Sequence, residues 1–211
     1  RVYDATAWSL PLMHGVEAYW SASKPAGDWR DDVPPASEGA VTKADAPFGY
    51  VFEGTSDESV SALAGLLERE IAVRIAEKPF RVGGVAYGSG AVLVKREGNP
   101  SDLTAQLEQV ASRYGIAVRA VSTSKAEDGP DLGGNYFHPL VAPRTGIWTG
   151  GSVSTQTYGA LWRLFDEDLK LRFAGLDLAN FDGIDLARFN VLVLPPGGWG
   201  GSGYRDRLGK N

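Results

Sequence analysis

The chain contains no cysteine, which excludes a thiol nucleophile, a thiolate metal site and a disulfide framework within its residues. It has only two histidines, His14 and His138, so imidazole chemistry has little to draw on. It lacks a basic excess. Twenty-one Lys and Arg face 26 Asp and Glu, net charge -5, and no basic cluster is long enough to follow a phosphate backbone; nucleic acid is therefore not an expected partner. No apolar run reaches the roughly 18 residues that a membrane-spanning helix needs, and no charged-then-apolar leader opens the chain, so no membrane partner is expected.

What is present suffices for a buried core: 43% of the 211 residues are hydrophobic. Residues 1–20 are dense in aromatic and apolar side chains, among them Tyr3, Trp8, Tyr19 and Trp20, and are expected to pack against something. Residues 21–46 turn to Ser, Pro, Gly, Ala, Asp and Lys and read as a linker. Residues 47–122 alternate strand and helix. Phe48 to Phe52 reads as a strand, followed by a helix capped by Thr55, Ser56 or Asp57 with a stripe of Val60, Leu63, Ala64, Leu66 and Leu67. A strand at Ala72–Ile75 follows, then a hairpin turning at Gly88-Ser89-Gly90. A second helix begins near Pro100, buries Leu103, Leu107, Val110 and Ala111, and leads to the strand Ala117–Val121. Residues 123–142 are a polar connector.

The organising stretch is Pro143 to Gly201. Thr145–Trp148 is a short strand stopped by Gly150-Gly151, with Ser152 and Ser154 as cap hydroxyls for a helix carrying Tyr158, Leu161, Trp162, Phe165 and Leu169. Leu171–Ala174 and Val191–Leu194 are two further strands, the last ended by Pro195-Pro196-Gly197-Gly198. An unbroken apolar run suits a strand covered on both faces. The expected fold is α/β, a mostly parallel sheet with helices on both faces, arranged as two small α/β units. Ligands of open α/β sheets sit beyond the carboxyl ends of the strands. Gly150, Gly151, Ser152, Ser154, Gly197 and Gly198 are thus the candidate ligand-binding residues, offering backbone N–H groups and hydroxyls to an anion or a sugar.

Other motifs carry less. His14-x-x-Glu17 has the spacing of zinc ligands, with His138 as a third, but two histidines and a common spacing make packing or surface roles the stronger reading. The segment after Gly150 is neither a Walker A loop nor a dinucleotide fingerprint. Ser202 has no nucleophile elbow around it and no histidine after it. The acidic groups Asp31-Asp32, Glu127-Asp128 and Asp166-Glu167-Asp168 read as solvated faces rather than acid–base pairs. No catalytic residue and no metal ligand is assigned.

Two stretches resemble a known family. Tyr3 to Glu17 is similar to the end of the catalytic domain in large bacterial zinc carboxypeptidase-like proteins. Pro143–Trp148, Ser154, Tyr158–Trp162 and Val191–Gly198 resemble the domain that follows it there, which looks like the flavodoxin-type fold of class I glutamine amidotransferases. The resemblance implies that zinc belongs to a peptidase domain upstream, that this chain itself holds no cofactor, and that its partner is that peptidase domain, in a periplasmic or secreted protein. Leu194 to Gly198 is similar to the amidotransferase oxyanion loop, but the nucleophilic cysteine of that family is missing. The implied function is that of a non-catalytic accessory fragment, residues 1–20 being the tail of the peptidase domain and 143–211 an amidotransferase-like unit. Arg1 at the start and an open three-strand unit at the end fit an excised piece of a longer protein.

Overall fold

The computed structural model describes residues 11, 18–27, 39–42, 47–196 and 204. They form two units, each around its own sheet.

The first unit is a six-stranded sheet built from β1 (Ala40–Thr42), β2 (Gly49–Phe52), β3 (Arg74–Ala76), β6 (Val92–Lys95), β7 (Ala117–Val121) and β8 (Phe137–Pro139), in the order β1-β7-β2-β6-β3-β8. Helix α1 (Asp57–Glu68) joins β2 to β3, and helix α2 (Leu103–Tyr114) joins β6 to β7. The order β7-β2-β6-β3 is that of a split βαβ unit, in which β6 slots between the two strands that α1 connects. That insertion corrects the expectation of a mostly parallel sheet. Only β1–β7 is parallel, while β2–β6, β2–β7, β3–β6 and β3–β8 are antiparallel.

The expectation of helices on both faces is corrected as well. Both helices lie on one face, where Leu66 of α1 and Leu103, Leu107 and Val110 of α2 pack on Tyr50, Phe52, Val92, Val94 and Val118. The opposite face, bearing Val51, Leu93, Val121 and Phe137, is covered by a hairpin and a loop that contribute Phe80, Val82, Tyr87 and Leu132. The apolar runs do mark strands covered twice. Burial sets the composition of a strand and leaves the direction of its neighbour open.

The hairpin pairs β4 (Phe80–Val82) with β5 (Val85–Tyr87). Its turn is Gly83-Gly84, at φ +58° and +75°, not the expected Gly88-Ser89-Gly90. Two consecutive positive φ values match the right-handed twist of the flanking strands, and adjacent glycines reach them without strain. Residues 124–132, within the expected connector, are stitched to this hairpin through Arg81 N–H to the Asp128 carbonyl (2.9 Å) and Glu127 N–H to the Arg81 carbonyl (2.8 Å).

The helix starts are local chemistry. Ser56 caps α1 by accepting from the Ser59 N–H (3.1 Å). The four side chains expected to bury from the second helix are the ones α2 buries.

The second unit is the parallel sheet expected after Pro143. β9 (Thr145–Thr149) lies between β10 (Phe173–Asp177) and β11 (Val191–Val193), both parallel to it. Helix α3 (Thr155–Arg163), extended by a wide turn over Leu164–Asp168, connects β9 to β10. Two short 3-10 turns, Leu178–Gly183 and Leu186–Arg188, carry the chain from β10 back past β9 to β11. Their Phe181, Ile184, Leu186 and Phe189 gather with Val153, Leu176 and Leu178 around Trp148, which is 2% exposed and stacks on Phe181 at 5.3 Å. No residue of α3 is buried, and Trp162, expected on its inward face, is largely exposed.

Candidate functional site

The strand order β10-β9-β11 places a topological switch point at the carboxyl ends of β9 and β11. From β9 the chain leaves towards β10 on one side, and β11 lies on the other, which is the position at which open α/β sheets form a ligand crevice. Gly150, Gly151 and Ser152 lie in the loop after β9, and Ser154 stands at the start of α3.

The loop after β9 is tightly specified. Gly150 and Gly151 sit at φ +73° and +56°. A Cβ on Gly150 would come within 2.4 Å of Asp177 Oδ1. Glycine is required there for backbone conformation and for space together. Val153 then turns inward into the Trp148 cluster, its N–H donating to the Gly150 carbonyl (3.1 Å). Ser154 is the N-cap of α3; its Oγ accepts from the Thr157 N–H (3.3 Å) and from the Thr157 hydroxyl (3.2 Å). The backbone N–H of Ser154 donates to the Pro196 carbonyl at 3.0 Å. That bond ties the loop after β9 to the loop after β11 at the mouth of the crevice. Gly197 and Gly198 lie outside the described residues, as do His14, Glu17, Asp31, Asp32 and Ser202. On the β11 side, the Tyr204 hydroxyl donates to the Pro195 carbonyl (2.8 Å).

Ser152 is exposed in the loop, and Thr155 and Gln156 are exposed on the first turn of α3. With Thr157 satisfied by the cap, the amides of Thr155 and Gln156 are the donors this helix end offers to a ligand.

Sequence reasoning missed Asp177. It ends β10 directly opposite Thr149, so its exposed carboxylate stands beside Gly150, where Oδ1 accepts from the Ala179 N–H (3.0 Å). The only signal for it was that a second parallel strand must finish level with the first, and that strand was read as ending three residues earlier, at Ala174. The carboxylate changes the electrostatics of the edge. A helix N-terminus is worth about half a positive charge, whereas Asp177 brings a full negative one. The edge therefore offers both hydrogen-bond donors, at the start of α3, and an acceptor, at Asp177.

No protein-family model, no curated protein and no solved structure matches this chain.

The remaining candidates separate. His138, in β8, pairs through Nε2 with Glu77 Oε2 at 2.7 Å on the surface, and among the described residues no three His, Asp or Glu side chains gather as a metal site. Glu127 accepts the Gly84 N–H through both carboxylate oxygens (3.0 and 3.2 Å). Glu167 pairs with Arg163 along the helix (3.5 Å). Among the described residues no helix is long and apolar enough to cross a membrane.

Proposed function

We propose that this chain is a non-catalytic binding module whose parallel unit takes a small hydroxylated molecule, a sugar or related polyol, in the crevice between the ends of β9 and β11. The observation that carries this reading is the Ser154 N–H to Pro196 carbonyl bond, which joins the two loops at the switch point. Ligand oxygens would accept from the α3 amides of Thr155 and Gln156, and ligand hydroxyls would donate to Asp177. Gly150 and Gly151 keep the backbone bare at the point of approach. A thermal-shift screen of the chain with neutral sugars, inorganic phosphate and amino acids tests it. A shift with at least one neutral polyol, lost in Asp177→Asn, supports the reading; no shift with any polyol refutes it.

A second reading is that the module is an accessory part of a larger zinc carboxypeptidase-like protein, with the zinc and the peptidase site on another domain. Tyr19 and Trp20 favour it, because each is 90% exposed, an aromatic pair presented to solvent of the kind that anchors interfaces. A photo-crosslinker at position 20 in the full-length gene product should capture a peptidase domain of the same polypeptide. Crosslinks confined to residues 39–196 would count against this reading.

A further inference from the structure

The first unit contains a groove that neither reading uses. It runs between the β4–β5 hairpin and the near edge of the sheet as two cavities of about 650 and 520 Å3, both bordered by Val85, Tyr87 and Arg119. Each is of the size that small organic ligands occupy. In the larger one, Val82, Val121 and Ala126 form an apolar wall, and Thr42, Ser122, Thr123, Lys125 and Glu127 a polar rim.

The chemistry concentrates where the cavities meet. Tyr87 is only 5% exposed, its ring stacked on Phe80 at 5.2 Å and 17°. Its hydroxyl makes no hydrogen bond among the described residues and is not one of their fully buried unpartnered atoms, so the ring is buried while the oxygen stays open to a ligand in the groove. Burial pushes this phenol above its ordinary value near 10, so at neutral pH it is a hydrogen-bond donor. Arg119, exposed on β7, acts on the phenol in the opposite direction and has no hydrogen bond or ion pair among the described residues. Lys125, also exposed, makes no ion pair there either. Glu127, in the rim of the larger cavity, accepts from the Gly84 amide and Glu53, in the smaller, from the Gly88 amide (3.3 Å), and both keep their negative charge. Glu53 and Glu58 together make the smaller cavity acidic. The larger cavity therefore sets a guanidinium and an ammonium against the one carboxylate of Glu127, with a phenol that can also donate, beside an apolar wall.

We propose that this groove binds a small organic oxyanion, a carboxylate or a phosphate ester, seated on Arg119 and the Tyr87 hydroxyl with its apolar body against Val82, Val85 and Val121. The planar guanidinium fork donates two parallel hydrogen bonds to either group. The site is separate from the crevice of the parallel unit and stands or falls independently of it.

The test is an NMR titration of the full chain with benzoate, phenyl phosphate and, as the neutral counterpart, benzamide. The proposal expects saturable shifts of the amides in 82–87 and 119–127 with at least one anion and none with benzamide. Benzoate alone would mark the natural ligand as a carboxylate, and phenyl phosphate alone as a phosphate ester. Arg119→Gln should weaken binding about tenfold or more, and Tyr87→Phe by several-fold. Asp177→Asn should leave both titrations unchanged. Arg119 is exposed and free of partners among the described residues, so its replacement spares the fold. Absence of saturation with both anions, benzamide binding as well as benzoate, or unchanged affinity in Arg119→Gln would each overturn the proposal.

Discussion

At the scale of single residues, Gly150 is the most constrained position of the candidate site. Alanine there must hold φ +73° and push its Cβ into Asp177, whose Oδ1 is already engaged by Ala179. A left-handed alanine costs about 1–2 kcal/mol before the Asp177 contact is added. Gly150→Ala should therefore lower the urea midpoint by the equivalent of about 2 kcal/mol or more. Gly159 is the internal contrast: it lies in α3 with open space around its Cβ position, so Gly159→Ala should raise stability by about 0.5–1 kcal/mol. Trp148 fills the small core of the second unit, and Trp148→Ala should cost about 3–5 kcal/mol, enough to unfold that unit. Tyr87 gives a pH signature. Its folded pKa is raised, chiefly by burial, so the folded chain keeps a proton that the unfolded chain loses. Its contribution is fully present below about pH 10 and is lost as the pH climbs from there through the folded value. Denaturation curves taken above pH 10 should show stability falling with pH, and Tyr87→Phe should reduce that slope; Tyr204, shifted the same way by burial, keeps it from vanishing.

At the scale of elements, legibility followed the range of the interaction. Helix caps and inward faces were readable because they depend on neighbours three or four residues away, as the Ser56 cap and the buried Leu103, Leu107, Val110 and Ala111 show. The strand Thr145–Thr149 and its glycine stop were readable for the same reason. Strand direction was not. Ala91–Val94 reads as half of a hairpin, because Gly88-Ser89-Gly90 offers as good a turn signal as Gly83-Gly84, and only the sheet decides that this strand, β6, inserts between β2 and β3. Asp177 escaped because its role depends on a neighbour 27 residues earlier in the chain, Gly150. Ser154→Ala tests the cap that positions the donors. It should cost about 1 kcal/mol, read by denaturation, and should increase amide exchange in the first turn of α3.

At the scale of the whole molecule, the two units rest on unequal cores. The six-stranded sheet is covered on both faces by large clusters, whereas the parallel sheet relies on the group around Trp148, and its strand β11 leaves Val191 and Leu192 exposed, as is Leu194 just after it. Between them, Glu68 of α1 takes both the backbone N–H (3.1 Å) and the exposed guanidinium (2.6 Å) of Arg172, a contact small beside either core. Hydrogen exchange should accordingly show β9, β10 and β11 opening before β2 and β6, and Arg172→Ala should leave that order unchanged. Binding of a polyol at the end of β9 is tested most directly by a backbone-amide NMR titration of the chain with neutral sugars, repeated in Asp177→Asn. Saturable shifts confined to residues 150–156 and the neighbourhood of Asp177, abolished by the substitution, are the expected result. Shifts that persist in the variant, or that arise with inorganic phosphate and with no sugar, would contradict it.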